Sequence, residues 1–156
     1  KQAIRIDPDN ADAHYNLGLA YYYSGRHEEE IESYKQAIRL DPDFADAHYN
    51  LGVAYGELGK NNEAIKSYKQ TLRIDPDYAE AHRNLGTAYS KSCMYEEAME
   101  SFKQAIRIDP DDAKTHACLG AIYFLRKDRG SALEEYKILK ELDTEMANEL
   151  FNLIYE

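Results

Sequence analysis

Residues 45–78 read ADAHYNLGVAYGELGKNNEAIKSYKQTLRIDPDY, and this stretch of 34 residues decides the fold because the chain repeats it. The prolines recur at a constant step of 34, at Pro8, Pro42, Pro76 and Pro110. Leu-Gly pairs and aromatic residues follow the same step: Leu17-Gly18, Leu51-Gly52, Leu85-Gly86 and Leu119-Gly120; Tyr21, Tyr55, Tyr89 and Tyr123; Tyr34, Tyr68, Phe102 and Tyr136. A fixed period of this length is typical of a solenoid built from stacked repeats.

Each period predicts two amphipathic helices. In the first half, apolar or small side chains recur at helical spacing, as at Ala13, Leu17 and Tyr21, and we name this run helix A. A break that contains glycine leads to a second run, helix B, which the next proline ends because the residue before a proline avoids helical dihedral angles. We expect the acidic residues beside the prolines to cap the helices that follow them. These residues are Asp7, Asp9, Asp41, Asp43, Asp75, Asp77, Asp109 and Asp111.

The repeated columns resemble those of the tetratricopeptide repeat family over nearly the whole chain, in the Leu-Gly, Tyr, Ala, Tyr/Phe, Ala and Pro positions. The resemblance implies an all-α fold, a right-handed α-solenoid of stacked antiparallel helix pairs known as a TPR superhelix. The predicted segments are 1–10 for the end of a preceding repeat, 11–44, 45–78, 79–112 and 113–146 for repeats one to four, and 147–156 for a C-terminal capping helix. On that last helix, Phe151, Leu153 and Ile154 are expected to cover the fourth repeat.

Small residues are expected where the two helices of a repeat come close. The glycines of the Leu-Gly pairs are therefore expected to face alanines of helix B, namely Ala64, Ala98 and Ala132. Glu30 stands at this position in the first repeat, and we expect its long stem to bend out to solvent; a functional carboxylate is the alternative. The fourth repeat also departs from the pattern, at Leu139 and Thr144, as a terminal repeat is expected to do.

Composition and motifs argue against several classes of function. The 19 basic and 29 acidic residues give a net charge of −10, which disfavours nucleic-acid and anionic-membrane partners. No apolar run is long enough for a membrane span. Cys93 and Cys118 lack metal-ligand or redox spacing and are expected to be reduced thiols. Because no phosphate-binding loop, nucleophile elbow or zinc-protease motif occurs, the sequence predicts no catalytic residue, no cofactor and no metal.

Two further columns are interpreted as structural. His14, His48, His82 and His116 recur once per period, but equivalent positions in stacked repeats lie about 10 Å apart, whereas metal ligands converge to roughly 2 Å. His27 lies in the turn before helix B with no evident partner. The lysines of helix B are interpreted as a solvated outer surface: Lys35, Lys69, Lys103 and Lys137.

The family resemblance also implies that helices A line a concave groove in which peptide partners bind. Asn16, Asn50 and Asn84 form a predicted ladder along it, which Cys118 interrupts and Asn152 resumes. Superhelical members, such as the repeat region of the O-linked N-acetylglucosamine transferase, carry a similar ladder that holds the backbone of an extended peptide. A carboxamide both donates and accepts, so this binding would not depend on peptide sequence. The alternative is that the asparagines bond neighbouring helices.

The residues that flank the ladder predict some selectivity. An aromatic and apolar patch is expected from Tyr15, Leu19, Tyr22, Tyr49 and Val53. The acidic residues Asp12, Asp46, Glu57 and Glu80 precede the basic residues Arg83, Lys91 and Lys114, so the groove is expected to be acidic early and basic late. Scattered surface charge is the alternative. The early tyrosines and aliphatic residues argue against a groove that grips a C-terminal carboxylate.

The sequence therefore predicts a module that binds a protein or an extended peptide, is not an enzyme, and lies in the cytoplasm. Two alternatives stay open. The chain starts in mid-helix, so it is also interpretable as the substrate-recruiting arm of a larger transferase. A self-assembling structural module is the second alternative, because Ala3, Ile4 and Ile6 in segment 1–10 would expose an apolar edge.

Overall fold

The computed structural model describes residues 9–155, and over that range it contains nine α-helices and no strand. The helices are α1 (Ala11–Tyr22), α2 (His27–Leu40), α3 (Ala45–Glu57), α4 (Asn61–Ile74), α5 (Ala79–Lys91), α6 (Tyr95–Ile108), α7 (Ala113–Leu125), α8 (Arg129–Leu142) and α9 (Thr144–Tyr155). The odd-numbered helices up to α7 are helices A, and the even-numbered ones are helices B. The predicted all-α fold is confirmed. The apolar edge predicted at Ala3, Ile4 and Ile6 lies outside the described residues.

The helices fall into two compact units, which divide after Pro76. In the first unit α1 pairs with α2 and α3 with α4, and α2 also packs against α3. In the second unit α5 pairs with α6 and α7 with α8, and α6 also packs against α7. Each unit is thus a stack of two antiparallel helix pairs, as predicted, and α9 joins the second unit by packing on both α7 and α8.

A residue with left-handed backbone conformation ends each turn between helix A and helix B. The four positions are 34 residues apart and have φ between 59° and 69°: Gly25, Gly59, Cys93 and Lys127. After α1, the turn is closed by hydrogen bonds from the N–H groups of Gly25 and Arg26 to carbonyls at the end of the helix. Glycine adopts this conformation without a steric penalty, whereas cysteine and lysine do not.

Helices A and B approach each other through a glycine and an aromatic ring, a contact that was not predicted from the sequence. The pairs are Gly18 with Tyr34 at 2.5 Å, Gly52 with Tyr68 at 2.6 Å and Gly86 with Phe102 at 2.7 Å, each measured from an ideal Cβ on the glycine to the nearest ring carbon. The alanines of helix B are fully buried. Any side chain larger than hydrogen at these glycines would displace the ring.

The fourth helix pair is completed differently, by α9. The ideal Cβ of Gly120 would lie 2.5 Å from Cδ2 of Leu150, so a leucine from α9 fills the place that a helix B ring takes in the other pairs. Leu150 and Ile154 are buried on α9, as predicted for Ile154. Phe151 and Leu153 are less buried, at 39% and 42% exposed, but the Phe151 ring lies 5.4 Å from that of Tyr136 on α8, so Phe151 does cover part of the fourth repeat.

The start of α9 lies at Thr144, three residues before the predicted 147. The side chain of Asp143 accepts a hydrogen bond of 3.0 Å from the N–H of Met146, which satisfies a donor of the first turn. Leu139, predicted as a departure from the pattern, is fully buried beside this junction in a cluster that includes Leu150.

The helix caps correct a second prediction. Asn10 caps α1 by accepting from the N–H three residues on at 2.8 Å, and Asp112 caps α7 by accepting from the N–H two residues on at 3.1 Å. Phe44 and Tyr78 occupy the cap positions of α3 and α5 and make no side-chain cap. Among the described residues, the aspartates beside the prolines are not the N-cap residues of the following helices; Asp41, for example, is the C-cap of α2 and accepts from the N–H two residues on within the turn.

Glu30 is buried, which contradicts the prediction that its stem bends out to solvent. It is 1% exposed, and its Oε2 lies 3.1 Å from Nδ1 of His27. Burial raises the pKa of the Glu30 carboxyl, and the bond to His27 opposes that rise. The expectation that His27 has no partner is therefore also wrong. This contact between side chains three residues apart stabilises the first turn of α2.

The helix B lysines at positions 35, 69, 103 and 137 are exposed, as predicted. The histidine column has a structural contact in both units: Nε2 lies 3.0 Å from the Pro42 carbonyl in His48 and 2.8 Å from the Pro110 carbonyl in His116. Each ring therefore ties a helix A to the turn before it.

Candidate functional site

In the first unit, the predicted groove residues lie on α1 and α3. Asp12, Asn16 and Tyr22 are exposed on α1, and Asp46 and Glu57 are exposed on α3. The remaining predicted residues of this unit are partly buried: Tyr15, Leu19, Tyr49, Asn50 and Val53. The exposed carboxylates give the helices A of this unit an acidic surface; that this surface is the acidic end of a binding groove stays a prediction.

One contact joins the two helices A of this unit at the predicted ladder. Nδ2 of Asn50 donates to the hydroxyl of Tyr15 at 2.9 Å. Burial raises the pKa of the Tyr15 hydroxyl; the Asp46 carboxylate adds to the rise and the bond from Asn50 opposes it. Because a carboxamide has two N–H donors and a carbonyl acceptor, Asn50 keeps one N–H and its Oδ1 for a ligand. The bond to the neighbouring helix thus uses only one of the hydrogen-bonding groups of the Asn50 carboxamide.

Two residues of the predicted aromatic and apolar patch, Tyr15 and Leu19, take part in the packing between helices. The Tyr15 ring lies 4.9 Å from that of Phe44 and 5.9 Å from that of Tyr34, between ring centroids. Leu19 and Tyr15 both pack on the buried cluster of the first unit. Tyr22 pairs instead with Tyr23, which is 84% exposed, in an edge-to-face arrangement at the end of α1. Sequence reasoning omitted Tyr23, although it follows Tyr21 and Tyr22 directly.

In the second unit, Arg83 is committed to an ion pair. Its Nη1 lies 2.6 Å from Oδ2 of Asp112, and the two side chains are 23% and 15% exposed. The hydroxyl of Thr115 donates to the same carboxylate oxygen at 2.6 Å. Although burial raises the pKa of Asp112, the bonds from Thr115 and Arg83 outweigh it, and the pKa is lowered. Arg83 thus stabilises the start of α7, and its charge is largely neutralised.

The other predicted residues of the second unit lie apart from that pair. Glu80, Lys91, Lys114 and Asn152 are exposed, and Asn84 is partly buried. Cys118 is partly buried, and burial raises the pKa of its thiol, so the thiol is neutral near pH 7. A basic character late in the groove would depend on Lys91 and Lys114, and it stays a prediction.

The pair formed by the buried His116 of α7 and Glu135 of α8 was not predicted from the sequence. His116 is 4% exposed, and its Nδ1 lies 2.7 Å from Oε2 of Glu135 on α8. This bond raises the pKa of His116, burial opposes the rise, and the Pro110 carbonyl adds to it. The column of histidines signals a repeated position, but no spacing in the sequence identifies Glu135 as a partner.

Over residues 9–155, no group of histidine, cysteine or acidic side chains has the arrangement of a metal site. In the same range no helix combines the length and the apolar character that crossing a membrane requires. Cys93 and Cys118 are both free.

Comparison with protein families gives matches along most of the chain. The model described as TPR repeat matches residues 1–25, 19–59 and 55–92, and the model described as Tetratricopeptide repeat matches residues 79–112. A comparison with the curated proteins finds no match.

Solved structures of MamA are similar to this chain over most of its length. One crystal structure of MamA is 26% identical and has a TM-score of 0.88, over 94% of this chain and 86% of the MamA chain. A second is 27% identical with a TM-score of 0.77, over 94% and 76% of the two chains. MamA from Desulfovibrio magneticus RS-1, residue 41 to the end, is 22% identical with a TM-score of 0.85, over 91% and 80%, a likeness that shows the fold alone.

Proposed function

This chain belongs to the tetratricopeptide repeat family and is a protein-interaction scaffold, and on that premise we propose that its helices A bind an extended peptide segment of a partner protein. The asparagines of the predicted ladder would hold the peptide backbone. Side chains beside them would set a modest preference for sequence.

The hydrogen bond from Asn50 to Tyr15 carries this proposal. A carboxamide that is held by one N–H is fixed in orientation before any ligand arrives, so less side-chain entropy is lost on binding. Its second N–H and its carbonyl match the C=O and N–H of an extended peptide. Exposed acidic residues nearby, such as Asp12 and Asp46, favour a segment that contains basic side chains.

We expect Asn50→Ala combined with Asn84→Ala to weaken peptide binding by about tenfold or more, since each lost backbone bond costs about 1 kcal/mol. The ligand is first selected from a library of random twelve-residue peptides displayed on phage. Its affinity for the parent and the variants is then measured by fluorescence anisotropy.

The matched control is Tyr15→Phe, which removes the hydroxyl that orients Asn50 but keeps both asparagines. It should weaken binding by about threefold or less, because the carboxamide loses its orientation only. Circular dichroism would establish that all variants keep their helix content. Unchanged affinity in the double variant would exclude the ladder as the binding element.

Self-association through segment 1–10 concerns residues that lie largely outside the described range. The recruiting arm of a larger transferase, the lack of catalysis and the cytoplasmic location stay predictions.

A further inference from the structure

A cavity of about 400 Å³ lies in the second unit, where the end of α7 meets the start of α8 and the end of α9. Its lining combines apolar side chains with two cations: Phe124, Leu125, Ile154, Lys127 and Arg129. Pockets that hold small ligands or anchoring side chains have volumes of about 300–1,000 Å³. Leu125 is 55% exposed at the mouth, and Ile154 is buried beneath it. The cavity is therefore large enough for one or two large apolar side chains.

The two charged side chains that line this cavity, Lys127 and Arg129, are both cations, in contrast to the chain's net charge of −10. Of the residues that the structure describes, no carboxylate lines it. Asp128 stands between the two cations in sequence but caps α8, accepting from the N–H and the hydroxyl of Ser131 at 3.1 and 2.7 Å. The Arg129 guanidinium lies 4.3 Å from the centroid of the Tyr155 ring, which holds it beside the cavity.

Lys127 occupies its place at a conformational cost. It has φ of 62° in the position that glycine takes at residues 25 and 59. The turn imposes this conformation at all four positions, and a lysine there costs about 1 kcal/mol relative to glycine. At this turn, unlike the turns that contain Gly25 and Gly59, the left-handed residue has a cationic side chain, and it lines the apolar cavity.

We propose that this cavity is a second docking site, distinct from the asparagine ladder, and that it binds an acidic peptide segment carrying a large apolar side chain. The apolar side chain would lie on Phe124, Leu125 and Ile154. Carboxylates on either side of it would pair with Lys127 and Arg129, of which arginine offers the bidentate geometry that carboxylates prefer. Charge complementarity selects an acidic segment over a basic one.

The test uses a fluorescein-labelled amidated peptide of sequence GDELFDEG, with GKKLFKKG and GDESSDEG as comparison peptides. Only the first is expected to bind. Lys127→Gly should weaken its binding about fivefold, and Lys127→Gly with Arg129→Gln about twentyfold. Leu125→Asp should abolish binding, because it puts a carboxylate at the exposed mouth. Added salt should weaken binding, since the ion pairs are solvent-accessible.

Cys93→Gly is the matched control. It makes the same change of a left-handed residue to glycine at the equivalent turn of the preceding helix pair and should leave affinity unchanged. Methyl NMR of Leu125 and Ile154 reports occupancy of the cavity directly.

Three outcomes would overturn the proposal. The first is equal affinity for GKKLFKKG. The second is unaltered binding of GDELFDEG by the variant that lacks both cations. The third is methyl shifts caused by decanoate but not by the peptide, which would identify a fatty-acid site instead. Loss of GDELFDEG binding on Asn50→Ala with retention on Lys127→Gly would place the peptide on the asparagine ladder and would also exclude this site.

Discussion

At the scale of single residues, the four turn positions show how one backbone requirement is met with different chemistry. Gly25 and Gly59 satisfy it without strain, whereas Cys93 and Lys127 adopt the same left-handed conformation with a side chain. A side chain at this φ crowds its own carbonyl oxygen. The turns at Cys93 and Lys127 are therefore less stable than the same turns would be with glycine at these positions.

We expect Cys93→Gly and Lys127→Gly each to raise the free energy of unfolding by about 0.5–1 kcal/mol, because relief of strain exceeds the added entropy of the unfolded glycine. Urea denaturation measures this. Gly25→Ala provides the opposite test, since it should destabilise by about 1 kcal/mol. Destabilisation by both glycine variants would show that the side chains contribute contacts that outweigh the strain.

A second prediction concerns His116 and pH. Its pKa is raised in the folded protein above the ordinary value of 6.5, chiefly by the bond to Glu135. A raised pKa means that the folded state binds the proton more tightly than the unfolded state does. The resulting stability is fully present below pH 6.5 and is lost as the pH rises through the folded pKa. Stability should therefore fall as the pH rises above 6.5.

Urea denaturation of the parent and of His116→Gln as a function of pH tests the assignment, and the variant should show a smaller fall. His48→Gln is the matched control: His48 makes the same contact to a proline carbonyl, but no carboxylate among residues 9–155 pairs with it. It should keep the pH dependence of the parent. An identical slope in His116→Gln would assign the effect to other groups.

At the scale of helices, α9 is the element that differs most from the repeating pattern. Leu150 takes the place beside Gly120 that the ring of helix B takes beside the glycines of the first three pairs. Leu150→Ala should destabilise the protein by about 3 kcal/mol, the usual cost of a buried leucine. Gly120→Ala should also destabilise, because its Cβ would lie 2.5 Å from Leu150.

The double variant Gly120→Ala with Leu150→Ala should be more stable than the sum of the two changes predicts, since the added methyl enters the space that leucine vacates. A coupling of about 1 kcal/mol or more is expected for groups in direct contact. Strictly additive free energies of unfolding would contradict the packing of α9 described above.

Helix positions were predictable because the 34-residue period places apolar side chains, turns and prolines with little ambiguity. The partners of those residues across helices were not. Spacing along one helix puts Gly18 on the inner face but does not say whether Ala or Tyr34 meets it. A glutamate such as Glu30 is expected to be exposed, because the sequence does not reveal the hydrogen bond with His27 that allows its carboxylate to be buried. Arg83 is likewise predicted to be a groove residue, whereas in the structure it forms an ion pair with Asp112.

At the scale of the whole molecule, charge is distributed unevenly. Both compact units carry more acidic than basic residues, and the contrast is local: the charged residues exposed on the helices A of the first unit are carboxylates, whereas those that line the cavity of the second unit are Lys127 and Arg129. Partners with opposite charge are therefore expected at the two surfaces, and salt should weaken both interactions. Because the two surfaces share no residue, saturation of the cavity by an acidic peptide should leave the number of helix A sites for a basic peptide unchanged.

The departure of α9 from the repeat pattern also determines where the array can be lengthened by genetic engineering. Ile154 stands 34 residues after Gly120, so a repeat appended behind α9 would meet a branched side chain at the position where helix B requires glycine. A copy of residues 45–78 inserted after Asp112 would instead meet α7, which already packs on a helix B. Extension should therefore succeed from within the array and fail from its α9 end.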